Sequence, residues 1–245
     1  MDRSLYISMS GAKETLLNTA VNNQNLANAT TNGFRAEFAQ ARSMPVFGPG
    51  HPVRAYAMTE KPAIDFQSGP MVATDRSLDV AIKGDGWLSV QAKDGDTAFT
   101  RQGSLEVSPN GQLMTKTGHP VMGSGGPIFV PPAREISVAN DGTITIIPEG
   151  AGSNETAIID QIRLVNPEKA TLYKGEDGLI RSTNANEEPA AAVSLVSGML
   201  ESSNVNTVSS LVTLMELSRR FEMQVKMMDT ASTLDQATNQ MMRIG

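Results

Sequence analysis

Residues 78–115 read LDVAIKGDGWLSVQAKDGDTAFTRQGSLEVSPNGQLMT. Apolar runs of four or five residues, such as 78–82 and 87–90, are cut by dipeptides that favour turns. Asn, Asp and Gly tolerate positive φ best, so Asp94-Gly95, Asn110-Gly111, Asp141-Gly142 and Asp177-Gly178 predict hairpins. Gly84-Asp85-Gly86 also reads as a hairpin turn. Many short strands with closely spaced turns predict a β-rich region over residues 78–200. Before it, Pro45, Pro49, Gly50, Pro52, Pro62, Gly69 and Pro70 break any helix, so residues 35–77 read as an extended connector with a strand or hairpin. Residues 151–156 and 184–192 read as surface loops.

Toward both ends the apolar period changes to that of a helix. From about residue 5 to 29, Leu5, Met9, Ala12, Leu16 and Ala20 share one helical face. Asn18, Asn22, Asn25, Asn28 and Asn32 gather on the opposite side, more asparagine than helix propensity explains. That amide stripe is either a solvated face or one buried against other subunits, where uncharged groups donate and accept without like-charge repulsion. From about 205 to 243, Leu211, Leu214, Phe221, Val225 and Met228 form a near-heptad stripe with Ser218 as a gap in it. Glu216 with Arg220, and Glu222 with Lys226, are i,i+4 pairs in the favourable order. Such a helix would be about 58 Å long. Asn204 or Asn206 is the expected N-cap. Met223, Met227, Met241 and Met242 widen the apolar surface, and core packing is their expected role.

The chain has 245 residues, a net charge of −6 and no cysteine. Disulfides, thiol catalysis and Cys-ligated zinc are therefore excluded. Residues 1–34 carry only Asp2, Arg3, Lys13 and Glu14, and residues 205–245 carry four acids and four bases, so the excess acid lies in the middle. No basic cluster points to nucleic acid as a partner. No apolar run is long enough for a membrane span, and no signal-peptide pattern opens the sequence.

Catalytic signatures fail on context. Gly84-Asp85-Gly86 lacks the third glycine of a dinucleotide fingerprint, and a strand follows it. Asp94 and Asp96 start a calcium-loop spacing that Ala98 ends. Ser10-x-x-Lys13 and Lys116-Thr117-Gly118 imitate a serine β-lactamase pair, but no Ser-Asp-Asn accompanies them. His51 and His119, the two histidines, stand at no metal spacing and beside no nucleophile. No enzyme, cofactor or metal is expected. A hydrolase and a monomeric binding module are the rival classes.

Residues 25–34, NLANATTNGF, resemble the N-terminal signature of the bacterial flagellar rod and hook proteins. Residues 78–87, LDVAIKGDGW, and residues 200–206, LESSNVN, resemble two further segments of that family, with FTRQG at 99–103 and GHPV at 118–121 continuing the likeness in order. Within the family the chain is most similar to the proximal rod proteins, through residues 75–80 and 219–226, with the distal rod protein as the nearest rival.

The resemblance implies an α+β fold. The terminal helices, residues 1–34 and 201–245, would pair as a coiled coil in an inner tube around the export channel, and the β-rich domain would lie outside. It implies as partners copies of the same chain, other proximal rod subunits, the distal rod protein and, in transit, the flagellar type III export apparatus. Localisation would be the periplasm-spanning rod of the basal body, reached without a cleaved signal peptide. The expected assembly residues are Leu5, Met9, Leu16, Asn18, Asn22, Asn25, Leu26, Asn28, Gly33, Phe34, Asn204, Val205, Leu211, Leu214, Phe221, Val225 and Met228.

Overall fold

A computed structural model describes residues 4–39, 41–45, 55–59, 63–150, 155–184, 187–190 and 192–244. His51 and the parts of the expected loops at 151–154, 185, 186 and 191 lie outside the described residues. The fold is α+β, with one helix at each end and short antiparallel strands between them. The chain divides into two compact units.

The first unit comprises Met1–Ala29, Ala36–Asp65 and Val205–Gly245. It holds helix α1 (Ser4–Ala27), strands β1 (Glu37–Phe38), β2 (Ala41–Pro45), β3 (Ala55–Thr59) and β4 (Ala63–Ile64), and the C-terminal helix (Thr207–Ile244), here α2. β2 pairs with β3 as a ribbon, and β1 pairs with β4. Of the two candidate caps, Asn206 starts α2. Its Oδ1 accepts the Ser209 N–H at 3.1 Å, and its carbonyl accepts the first helical bond from Ser210.

The helices lie side by side and antiparallel. Asn22 Nδ2 donates to the Ser210 carbonyl at 2.8 Å, a side chain at Gly11 would meet Gln224, and Leu5 and Tyr6 flank a groove shared with Ala231 and Asp235. The less exposed positions of α2 are Ser210, Leu214, Leu217, Phe221, Gln224, Met228, Ala231 and Asp235, in alternating steps of four and three. Those of α1 include Ser8, Gly11, Thr15, Asn18, Asn22 and Asn25, in steps of three and four.

This seam corrects the expected stripe on α2. Leu214, Phe221 and Met228 lie in it, but Leu211 and Val225 are exposed, Ser218 points away, and buried Leu217 was overlooked. The reason is that α2 carries apolar side chains all round, so apolarity alone does not mark its inward side. Met223, Met227, Met241 and Met242 are all more than half exposed, which overturns their expected core role.

The second unit comprises Thr30–Arg35 and Phe66–Asn204. Its strands are β5 (Met71–Ala73), β6 (Val80–Lys83), β7 (Trp87–Gln91), β8 (Thr97–Thr100), β9 (Leu105–Val107), β10 (Leu113–Thr115), β11 (Ala133–Val138), β12 (Thr143–Pro148), β13 (Ala157–Gln161), β14 (Leu164–Val165), β15 (Leu172–Lys174), β16 (Ile180–Ser182), β17 (Ser194–Ser197) and β18 (Met199–Glu201). A five-stranded antiparallel sheet runs β14-β7-β8-β16-β15, a three-stranded one β11-β12-β13, and β9 pairs with β10. The last two strands return to the first two: β17 pairs with β6 and β18 with β5.

All four predicted Asx-Gly hairpins form, joining β7 to β8, β9 to β10, β11 to β12 and β15 to β16. In three of them the aspartate Oδ1 accepts the N–H two residues on, at Asp96, Thr143 and Leu179. Gly84-Asp85-Gly86 is not a hairpin turn. β6 pairs with β17 and β7 with β8 and β14, so these residues carry the chain from one sheet to another.

The core of this unit is aliphatic and mostly β-branched: Val80, Ile82, Leu88, Leu105, Leu113, Val121, Ile128, Ile144, Ile146, Ile162 and Leu195 are almost wholly buried. Leu105 has no exposed surface. Its replacement by alanine is expected to cost about 2–5 kcal/mol of stability. Urea unfolding followed by Trp87 fluorescence checks this, and an unshifted midpoint would refute it.

Candidate assembly surface

The helix pair is amphipathic in an inverted sense. Its seam on α1 is made of small and polar side chains, whereas Leu5, Tyr6, Met9, Leu16 and Leu17 face outward, Met9 being 59% and Leu16 55% exposed. On α2, Val208, Leu211, Val212, Met215, Met223, Val225, Met227 and Leu234 are likewise exposed. Part of this surface forms an open groove beside Ser8, walled by Met223, Met227, Ala231 and Leu234 with the Lys226 stem. An apolar area of this extent is unusual on a monomeric soluble protein.

Asn22, Asn25 and Asn28 of the amide stripe have partners within the chain. Asn22 is buried and spans the seam to α2. Asn25 is buried and binds one backbone unit twice: Nδ2 donates to the Glu37 carbonyl at 2.8 Å, and Oδ1 accepts the Glu37 N–H at 2.9 Å. Its amide thus pairs with β1 as a neighbouring strand would. Asn28 Nδ2 donates back to the Gln24 carbonyl at 2.9 Å, while Asn18 and Leu26 are half-buried. Ser10 of the decoy motif donates its hydroxyl to the Ile7 carbonyl at 2.7 Å, an ordinary helical back-bond.

The remaining expected positions fall in two places. Val205, half-buried, leads into α2. Gly33, Phe34 and Asn204 belong to a buried node in the second unit, centred on Glu201. The Glu201 side chain is wholly buried; Oε1 lies 2.6 Å from Arg35 Nη1 and Oε2 2.9 Å from Arg101 Nη1, and Oε1 also accepts the Gly69 N–H at 3.0 Å. Arg101 Nη2 donates to the Gly84 carbonyl at 2.7 Å. Both guanidinium groups lie against the Trp87 ring, at 5.9 and 5.3 Å from its centroid, and Phe66 meets that ring edge-on. Burial holds Arg101 below its ordinary pKa; Glu201 opposes this and the Arg35 charge adds to it.

Gly33 sits at φ +71°, donates its N–H to the Glu201 carbonyl at 2.7 Å, and lies so close to the Arg101 backbone that a Cβ would overlap it. Phe34 is capped by Lys174 Nζ, 4.1 Å from the ring centroid. Asn204 Nδ2 donates to the Gln67 carbonyl at 3.0 Å.

The node collects the separate sequence signatures in one place: Gly33 and Phe34, Gly84 and Trp87, Arg101, and Glu201 and Asn204. Arg35, Arg101, Trp87 and Glu201 were not among the expected functional residues. For Arg35, between Phe34 and Ala36, and Glu201, between Leu200 and Ser202, the signal was a charge set among small or apolar neighbours. His119 is buried in the same unit, its backbone N–H and carbonyl both engaged by Thr115. Among the described residues, no group of three His, Asp or Glu side chains is placed to hold a metal, and no helix is long and apolar enough to cross a membrane.

Comparison with known proteins gives the class first. Residues 81–146 match the flagellar hook protein FlgE/F/G D1 domain, and residues 196–241 match the flagellar basal body rod FlgEFG protein C-terminal family. The chain is 40% identical to the flagellar basal-body rod protein FlgF of Escherichia coli, over 99% of both chains, and equally to that of Salmonella typhimurium. It is 30% identical to the flagellar basal-body rod protein FlgG of Buchnera aphidicola from Acyrthosiphon pisum, over 97% of this chain and 99% of the relative. The chain belongs to the FlgF family of flagellar basal-body rod proteins.

Replacing Glu201 by glutamine leaves two buried guanidinium groups facing a neutral amide, and is expected to destabilise the second unit by about 3–5 kcal/mol. Urea unfolding read through Trp87 measures this; a midpoint equal to the parent would refute the node's role. Asn25→Ala is expected to remove both bonds to β1, at about 1–3 kcal/mol for the backbone groups left unpaired. Hydrogen exchange at the Glu37 amide should accelerate, and unchanged protection there would refute it.

Proposed function

We propose that this chain is a structural, non-enzymatic subunit of the bacterial flagellar rod, placed in its proximal part. α1 and α2 pair as a coiled coil and pack with those of neighbouring subunits into the tube around the export channel. The β-rich unit lies outside. The observation that carries this reading is the helix pair's outward apolar surface: the α1 side of the seam uses small and polar groups against Leu214, Leu217, Phe221 and Met228 of α2, leaving the larger apolar side chains of α1 and the exposed ones of α2 for contacts between copies. Those side chains lie on both α1 and α2, so one copy can present one face to one neighbour and a different face to the next. Such heterologous contacts generate open helical arrays instead of closed dimers.

Partners are then further copies of this chain, other proximal rod subunits and the distal rod protein FlgG, with the type III export apparatus in transit and no signal peptide removed. The 40% identity to the FlgF relatives of Escherichia coli and Salmonella typhimurium, against 30% to the FlgG relative, favours the proximal position over the distal one.

The test is deletion of the gene, with complementation by the parent or by a Met9→Asp, Leu16→Asp double variant. Both side chains are exposed in the single chain, so the variant is expected to keep the parent's Trp87 fluorescence while failing to restore swimming. Electron microscopy of both non-complementing strains should show membrane-embedded rings without a complete rod, hook or filament. Swimming deletion cells with complete basal bodies would overturn the rod reading; swimming of the double variant alone would overturn the role given to the α1 face.

A further inference from the structure

Two Asn-Gly dipeptides occur in the sequence, Asn32-Gly33 and Asn110-Gly111, and the fold places them in opposite settings. Asn110 is exposed at the tip of the β9–β10 hairpin. Among the described residues its side-chain amide makes no hydrogen bond; only its backbone N–H is engaged, by Ser108 Oγ at 3.4 Å. The Gly111 N–H is held by the turn's own bond to the Ser108 carbonyl, at 2.8 Å. The Gly111 carbonyl accepts the Val130 N–H at 2.7 Å, so a few backbone bonds and, among the described residues, no ion pair hold the tip.

Asn32 is half-buried, and the Gly33 N–H is bonded to the carbonyl of buried Glu201. Gly33 is pressed against the Arg101 backbone with no room for one added carbon. Freeing its nitrogen means opening the arginine–glutamate node.

We propose that Asn110 is a site of spontaneous covalent modification, by deamidation through a succinimide, and that the Glu201 node protects Asn32 from the same reaction. At Asn110, the Gly111 nitrogen gives up its proton and attacks the Asn110 side-chain carbonyl carbon, and ammonia leaves with the proton needed to neutralise it. The five-membered imide that results is opened by water at either carbonyl. One route yields aspartate; the other yields isoaspartate, which routes the main chain through the former side-chain carbon. No oxidant, metal or enzyme is required. Glycine is the favourable neighbour because no Cβ obstructs the attacking nitrogen. Either product places a carboxylate at the hairpin tip, and isoaspartate lengthens the main chain between β9 and β10, whose Leu105 and Leu113 are both wholly buried. Conversion therefore marks, and locally loosens, an aged subunit.

The experiment incubates the full-length protein at mildly alkaline pH and physiological temperature, folded or unfolded in urea, and follows both dipeptides by peptide mass spectrometry in ¹⁸O-labelled water. In the folded protein Asn110 is expected to convert to labelled acid more than about tenfold faster than Asn32, because a loop tip opens at lower cost than a buried node. In urea the two rates should converge. In urea, where the strain of alanine at the positive φ of Gly111 is absent, Gly111→Ala should slow Asn110 without altering Asn32, and in the folded protein Glu201→Gln should release Asn32. Equal rates at the two sites in the folded protein, or an intact Asn110 over the time in which the urea sample converts, would overturn the proposal.

Discussion

A single buried carboxylate orders the second unit. Glu201 holds Arg35 and Arg101 at once and takes the Gly69 amide as well, so it ties together chain segments that are far apart in sequence. The charges do not balance, since two guanidinium groups share one carboxylate. The aromatic face of Trp87 compensates in part, lying against both cations, and the Gly84 carbonyl takes a further arginine proton. Buried ion pairs add little net stability over a well-packed apolar alternative, but their loss is costly once the partners are buried. The node thus selects one arrangement of the entering and leaving strands and penalises the others.

The helical unit follows a different rule. Its internal seam is poor in large apolar groups on the α1 side, where serine, glycine, threonine and asparagine meet α2. Small side chains allow close approach, and Asn22 and Asn25 satisfy their amides against backbone groups instead of water. The large apolar side chains of α1 lie outside that seam, and those of α2 are divided between the seam and the exposed surface. A surface arranged this way is costly for an isolated molecule and suited to one that packs against other subunits.

Much of this was legible in the sequence, though not evenly. Hairpins at four Asx-Gly dipeptides were readable because backbone conformation at those positions is a local property. Gly84-Asp85-Gly86 misled because local chemistry marks a change of direction and says nothing of which strand becomes the partner. The helices were readable from their period, but not which side of each faces inward. α2 is apolar on every side, and on α1 the apolar stripe faces outward at Leu5, Met9, Leu16 and Ala20 but is buried at Ala12. The asparagine stripe stood out by composition, yet Asn25 finds its partner at Glu37, a contact that no helical periodicity contains. The node escaped for a related reason: its residues belong to, or directly follow, four separated motifs, and only the folded chain brings Arg35, Trp87, Arg101 and Glu201 together.

The closing of the second unit by its own last strands has a kinetic side. β5 and β6 find their partners in β18 and β17, more than a hundred residues further along the chain. A chain presented from its N-terminus leaves both opening strands with unpaired edges until residues 194–201 arrive. Loop-closure entropy opposes any earlier docking. Completion of the unit therefore waits on nearly the whole polypeptide, and a partly delivered chain stays slack in its opening strands.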